Sequence, residues 1–326
     1  MSNGKKSAEI TEITRPEPRQ GFALDMSVEV GPLKLRNPVM SASGTFGYGI
    51  EFEDIVSLDK LGGIVCKGLS REPMPGNPPP RLYETAAGML NSIGLQNIGA
   101  RAFLDEKLPL LRKVTKTSII CNVYGYSNAE YADTIRILNE GEGIAAYELN
   151  VSCPNVKYGG IAFGQDPVLL EQLVADCKNA TTRPIIVKLS PNVTSIARMA
   201  KSAENAGADA ISLVNTFLAM AIDPETRRPR ISNITAGLSG ACIKPIAVRM
   251  VYEASQAVKI PVIGMGGIST AADIVEFMLA GASAVEVGTA NFWDPCACEK
   301  LVDELEHWCT GHRIERVRDL TGGLVV

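Results

Sequence analysis

Short runs of aliphatic and β-branched residues alternate with longer amphipathic stretches along the chain, and that rhythm predicts its architecture. The apolar runs are Pro38 to Ala42, Gly62 to Gly68, Thr117 to Val123, Ala145 to Val151, Pro184 to Leu189, Ala210 to Asn215, Pro261 to Gly264 and Ala284 to Gly288. Each reads as a strand apolar on both faces, as parallel strands covered by helices are. Between them, stretches 51–61, 99–114, 128–140, 166–180, 195–206, 240–258, 270–280 and 295–310 space their apolar residues three and four apart, one face of a helix. Asp166 before Pro167 suits a helix start, as does Ser269 or Thr270 before 270–280.

Sequential strand-helix units of one hand close most economically into a parallel barrel, so the fold expected is α/β, a single (β/α)8 TIM barrel with extended active-site loops. An open doubly wound sheet is the alternative. Ahead of the first strand, 26–37 alternates polar and apolar around Gly31-Pro32, as a β-hairpin at the barrel bottom would. The domain division expected is a flexible polar tail over 1–20 and one catalytic barrel over 21–326.

Composition narrows the function. A chain of 326 residues that is 46% hydrophobic and 21% charged carries ample core material. A net charge of −4 without a long Lys/Arg cluster argues against a nucleic-acid surface. The start of the chain lacks the apolar core of a secretory signal, and no apolar run nears the length of a membrane span, so a soluble, cytoplasmic protein is expected. The cysteines at 66, 121, 153, 177, 242, 296, 298 and 309 are scattered, and His307 and His312 both fall late. Neither a disulfide framework, a zinc site nor an iron-sulfur site is written in that spacing.

Barrel chemistry collects at the C-terminal ends of strands. Those positions carry Ser43-Gly44, Lys67-Gly68, Asn122, Asn150 and Cys153, Lys188, and Asn215-Thr216. The seventh strand runs into Gly264-Met265-Gly266-Gly267 and the eighth into Gly288-Thr289, where glycine lets backbone N–H groups surround a phosphate. Two lysines and three asparagines at one mouth suit a planar anionic heterocycle with carbonyl acceptors and N–H donors. Taken singly, an asparagine there could cap a loop, and the glycines could serve tight turns alone.

With both histidines remote, Cys153 is the best candidate base. It precedes Pro154, and Gly159, Gly160 and Gly164 suggest a mobile loop around it. A free thiol titrates near about 8.5, so modest stabilisation of the thiolate would let it take a carbon-bound proton. An inert buried thiol is the competing reading.

The strings NSIGLQN (91–97), ELNVSCPN (148–155), VKLSPNVT (187–194), ITAGLSG (234–240) and IGMGGIS (263–269) resemble class 1 dihydroorotate dehydrogenases, in order and over nearly the whole chain after about residue 25. Gln96, the GMGG turn and Gly159-Gly160-Ile161-Ala162-Phe163-Gly164 resemble the subclass 1B catalytic subunit most. The resemblance implies FMN as this chain's cofactor and oxidation of dihydroorotate to orotate. A base takes the proton from C5, and hydride passes from C6 to flavin N5. Cys153 matches the base. Lys67, Asn91, Ser92, Ile93, Gly94, Leu95, Asn150, Asn155, Asn215 and Thr216 match the substrate positions. Ser43, Lys67, Gly68, Asn122, Asn150, Lys188, Val214, Gly240, Gly266, Gly267, Gly288 and Thr289 match the flavin positions.

The subclass further implies a partner subunit with FAD and an iron-sulfur cluster that reduces NAD, and a homodimer of this chain within a heterotetramer. A self-sufficient fumarate-linked enzyme fits the same strings. A dihydropyrimidine dehydrogenase-type barrel shares the cysteine motif, but Lys67 with NSIGLQN favours a carboxylate-bearing substrate. A tRNA dihydrouridine synthase would ordinarily need a basic RNA surface.

Overall fold

The computed structural model describes residues 23–152 and 163–326. Cys153, Asn155, Gly159, Gly160 and the 1–20 tail lie outside the described residues. Eight parallel strands form a closed barrel: β1 (Val39–Ser41), β2 (Gly63–Leu69), β3 (Ser118–Val123), β4 (Ile144–Asn150), β5 (Ile185–Lys188), β6 (Ala210–Leu213), β7 (Val262–Met265) and β8 (Ala282–Val287). Each strand pairs with the next in sequence, and β8 closes onto β1 through Val285–Val39 and Val287–Ser41. The expected barrel is therefore the one observed.

The strands hold because both their faces are covered. Val39, Ile64, Ile119, Ile120, Ala146, Leu149, Val187, Ile211, Ile263 and Val285 are all inaccessible to solvent and belong to one continuous core. Burial on this scale is the main favourable term of folding, about 25 cal/mol per Å² of apolar surface. Helix starts follow the capping chemistry expected: Asp166 accepts from the N–H groups of Val168 and Leu169, and Thr270 forms a reciprocal capping box with Asp273.

Two expectations are revised. Stretch 51–61 is not a helix; it makes two short 3-10 turns, Ile50–Phe52 and Leu58–Lys60. Its buried residues are Val56, Leu58 and Leu61, a spacing that does not fall on one helical face, and Ser57 between them is extended. The helix over 99–114 is composite: Ala100–Ala102, a π-helical segment Phe103–Lys107 and Leu108–Val114, with Pro109 in the first turn of the last piece.

The N-terminal hairpin pairs Val28–Val30 with Leu33–Leu35, all four apolar side chains inward. Its turn presses on the chain entering β6: a Cβ on Gly31, which has φ +57°, would lie 2.8 Å from the Asp209 carbonyl oxygen. That places the hairpin at the N-terminal end of the barrel, opposite the strand ends that carry the polar residues.

Above those strand ends lies an antiparallel sheet of four short strands in the order Phe217–Ala219, Ala236–Ser239, Gly88–Asn91, Leu82–Thr85. Two come from the segment after β2 and two from the segment after β6, so widely separated loops are stitched into one roof. Among the described residues, no helix is long and apolar enough to cross a membrane.

Candidate functional site

The strand ends and the roof enclose a cavity of about 1140 Å³, room for a cofactor and a small substrate together. It is lined by Ser43, Lys67, Gly68, Asn91, Ser92, Ile93, Gly94, Leu95, Asn122, Asn150, Lys188, Val214, Asn215, Thr216, Gly240, Gly266, Gly267, Gly288 and Thr289. Every described residue marked in the sequence thus faces one space. The roof positions Asn91 and Ser92 over it, and the barrel strands supply the rest.

At one end, glycines make an anion cradle. Gly266 and Gly267 leave β7 with φ of +126° and +81°, and Gly240 has φ +101°, conformations that side-chain-bearing residues rarely adopt. A Cβ on Gly267 would stand 2.8 Å from the Gly240 carbonyl oxygen, so the two turns meet only because Gly267 lacks a side chain. Thr289 closes the cradle from β8, its hydroxyl donating to Ser239 Oγ at 2.8 Å. Ser239 was not marked in the sequence, where ITAGLSG carried only Gly240 forward.

Opposite, amides are locked to one another. Asn215 Nδ2 donates to Asn150 Oδ1 at 3.2 Å, and the Ser152 N–H donates to the same oxygen at 3.3 Å. Asn150 Oδ1 is thus committed within the protein, leaving its NH2 group to face the cavity. The Tyr131 hydroxyl fixes the same residue from behind, donating to the Asn150 carbonyl at 2.6 Å. On the roof, Asn91 Nδ2 leans on the Gly237 carbonyl at 3.4 Å.

Lys67, from β2, sits in the cavity wall without an ion pair to any described carboxylate. Burial pushes its ammonium below the ordinary lysine value, and the nearby Arg81 charge pushes the same way. An anionic group in the cavity would supply the missing counter-charge.

Beneath the cavity lies a buried charge cluster. Lys188 Nζ stands 3.6 Å from Glu148 Oε1 and 3.6 Å from Glu286 Oε2, and the three side chains are 6%, 0% and 1% exposed. Burial alone would raise Glu148, but the Lys188 charge and hydrogen bonds that include those of Ser212 (2.7 Å) and Asn122 (2.6 Å) outweigh it and hold the carboxyl low. Burial and the Glu148 charge push Glu286 well above the carboxylate range, and Lys188 only partly offsets them. Lys188 itself is raised: the two carboxylates outweigh its desolvation.

The sequence marked Lys188 and Asn122 but neither carboxylate. The available signal was an acidic residue inside an otherwise apolar strand, in Ala-Tyr-Glu148-Leu and Ala-Val-Glu286-Val. Such a charge needs a partner from another strand.

The donor set fits a flavin mononucleotide. The glycine cradle suits a phosphate, while the unpartnered Asn122 Oδ1, Lys188 and the Asn150 amide suit the edge of a ring with both donors and acceptors. Among the described residues, no cluster of three or more His, Cys, Asp or Glu could hold a metal ion.

Fold and site together define a parallel (β/α)8 barrel of the kind that holds a phosphate-bearing cofactor beneath a polar substrate pocket. Residues 25–309 match the family model described as dihydroorotate dehydrogenase, and the chain belongs to that family. It is 57% identical over 292 residues to a protein of Solibacter usitatus named putative dihydroorotate dehydrogenase A (fumarate), covering 90% of this chain and 96% of that one. It is 54% identical over 300 residues to the Pelobacter propionicus protein named dihydroorotate dehydrogenase B (NAD(+)), catalytic subunit, covering 92% and 98%. A Geotalea uraniireducens protein with the same name is 54% identical over 301 residues, covering 92% and 98%.

Proposed function

We propose that this chain oxidises dihydroorotate to orotate with FMN bound in the cavity, as the catalytic subunit of an NAD-linked enzyme. The observation that carries the reading is Lys67, a half-buried cation without a described protein counter-charge, in the same cavity as the asparagine amides and the glycine cradle. A pyrimidine carboxylate answers that charge, and ring carbonyls answer the amides of Asn91, Asn150 and Asn215.

In this reading Ser92 to Leu95, Thr216 and Asn155 complete the substrate contacts. Ser43, Gly68, Asn122, Lys188, Val214 and the cradle of Gly240, Gly266, Gly267, Gly288 and Thr289 hold the cofactor. FMN, when bound, supplies the two-electron acceptor. Cys153 takes the C5 proton, which its position directly after the Asn150-Val151-Ser152 segment allows. Asn150, pinned by Tyr131 and Asn215, keeps the substrate ring in register with that thiol. Lys188 stabilises the negative charge that reduction brings to the ring edge.

The experiment is stopped-flow reduction by dihydroorotate. Cys153→Ala should keep FMN and orotate binding and lose most of the flavin bleaching; near-normal bleaching would remove Cys153 from the base role.

For the acceptor, the reading is a partner subunit carrying FAD and an iron-sulfur cluster that passes electrons to NAD, with the chain itself a homodimer in a heterotetramer. The relatives named as NAD-linked catalytic subunits support it. The Solibacter relative named for fumarate favours a second reading, a self-sufficient enzyme. Purified chain given dihydroorotate with fumarate, or with NAD plus the partner, separates them: rapid fumarate turnover by this chain alone sinks the first.

A further inference from the structure

Three ionisable side chains converge inside the barrel from β4, β5 and β8, and their charges do not balance if all are ionised. Two carboxylates against one ammonium would leave a net negative charge in a dry interior, a costly arrangement. One proton must therefore reside in the cluster, and the hydrogen bonding shows where. Glu148 has donors on both oxygens, Asn122 at 2.6 Å and Ser212 at 2.7 Å, besides its ion pair to Lys188. Glu286 has no hydrogen-bond donor on either oxygen. Its flanking strands place Met40 and Met265 beside it in register, and the charged groups facing it are Lys188 and Glu148. Glu286 nevertheless lines the cavity.

We propose that Glu286 is a neutral carboxylic acid in the working enzyme and a positioning residue for Lys188, leaving that cation paired with Glu148 alone beneath the bound cofactor. The inference rests on the cofactor reading above and deepens it: the proton on Glu286 prevents a second negative charge from opposing reduction of the flavin. An ionised Glu286 would repel the charge that reduction adds, because little solvent lies between them to screen it.

The test has two readings, made on wild type and Glu286→Gln, with Glu286→Met as the second variant should the amide fail to fold. In the FMN-loaded protein at neutral pH, the flavin reduction potential of the variant should match that of wild type, because one neutral group replaces another. A shift to a more positive potential would mean that a negative charge had been removed, and would overturn the proposal. In the infrared, wild type should show the carbonyl stretch of a protonated carboxylic acid that the variant lacks; no such band in wild type would also overturn it. The infrared reading needs no cofactor. Failure of wild type to bind FMN would therefore sink the functional reading while leaving Glu286 open to decision on its own.

Discussion

The amide of Asn122 donates to Glu148 Oε1 at 2.6 Å, bridging β3 and β4 directly beneath the cavity. The carboxylate it holds is the one counter-ion of Lys188 that is fully hydrogen-bonded. Glu148→Ala should therefore cost about 3–5 kcal/mol of stability, the usual penalty for removing one partner of a buried ion pair. Glu148→Gln, which keeps a polar group in place, should cost less. Urea unfolding of both variants against wild type checks the order, and equal losses would show that the polar group glutamine keeps does not matter beside the lost charge.

The cradle rests on one steric fact. A Cβ on Gly267 would meet the Gly240 carbonyl oxygen at 2.8 Å and Lys244 Cβ at 2.9 Å, in a backbone conformation already unfavourable to other residues. Gly267→Ala should thus push the two turns apart at a cost of about 1–3 kcal/mol. If that cost is met at the phosphate, FMN affinity falls about tenfold or more. Titration of the apoprotein with FMN, followed by flavin fluorescence, measures it.

Lys67→Met keeps the length of the side chain and removes the charge. Hydrogen bonds to charged groups are worth about 1.5–3 kcal/mol, so orotate should bind roughly 10- to 100-fold more weakly. Perturbation of the flavin absorbance by orotate gives the dissociation constant. An unchanged constant would take the substrate carboxylate away from Lys67.

The helix that follows β7 gives a pH prediction. Burial would raise Asp273, but hydrogen bonds from Lys244, Ser269 and Thr270, together with the Lys244 charge, outweigh it and set the carboxyl below the ordinary aspartate value. A carboxyl depressed in the folded state adds stability above its unfolded value and loses it as pH falls through the folded one. Asp273→Asn should therefore destabilise the protein at neutral pH and flatten the acid limb of its stability curve. Denaturant midpoints taken from neutral pH down to the onset of acid unfolding would show this; parallel curves would refute it.

The barrel was legible in the sequence because each of its strands is buried on both faces and each helix on one, which writes a period into the residues. The mouth was legible because strand ends are where such a barrel breaks from apolar to polar: Lys67, Asn122, Asn150 and Asn215 stand at those breaks and do face one cavity. The roof was not. Its strands are three or four residues long and partly exposed, too short to establish an alternation. Glu148 and Glu286 escaped for another reason: their meaning lies in Lys188, which sits on a different strand, and pairing across strands leaves no local mark. The segment 51–61 misled because its apolar residues keep helical spacing, yet Ile55 is exposed and burial falls on Val56, Leu58 and Leu61, which share no helical face.

The roof also bears on when the site comes into being. Asn91 reaches Gly237 across 146 residues of chain, and contacts so remote in sequence form late, after the loop between them has been closed. The substrate pocket is thus among the last parts of the molecule to be assembled. A chain released before β6 and its following segment are made has no roof, however complete its early strands, so ligand binding reports finished folding rather than collapse.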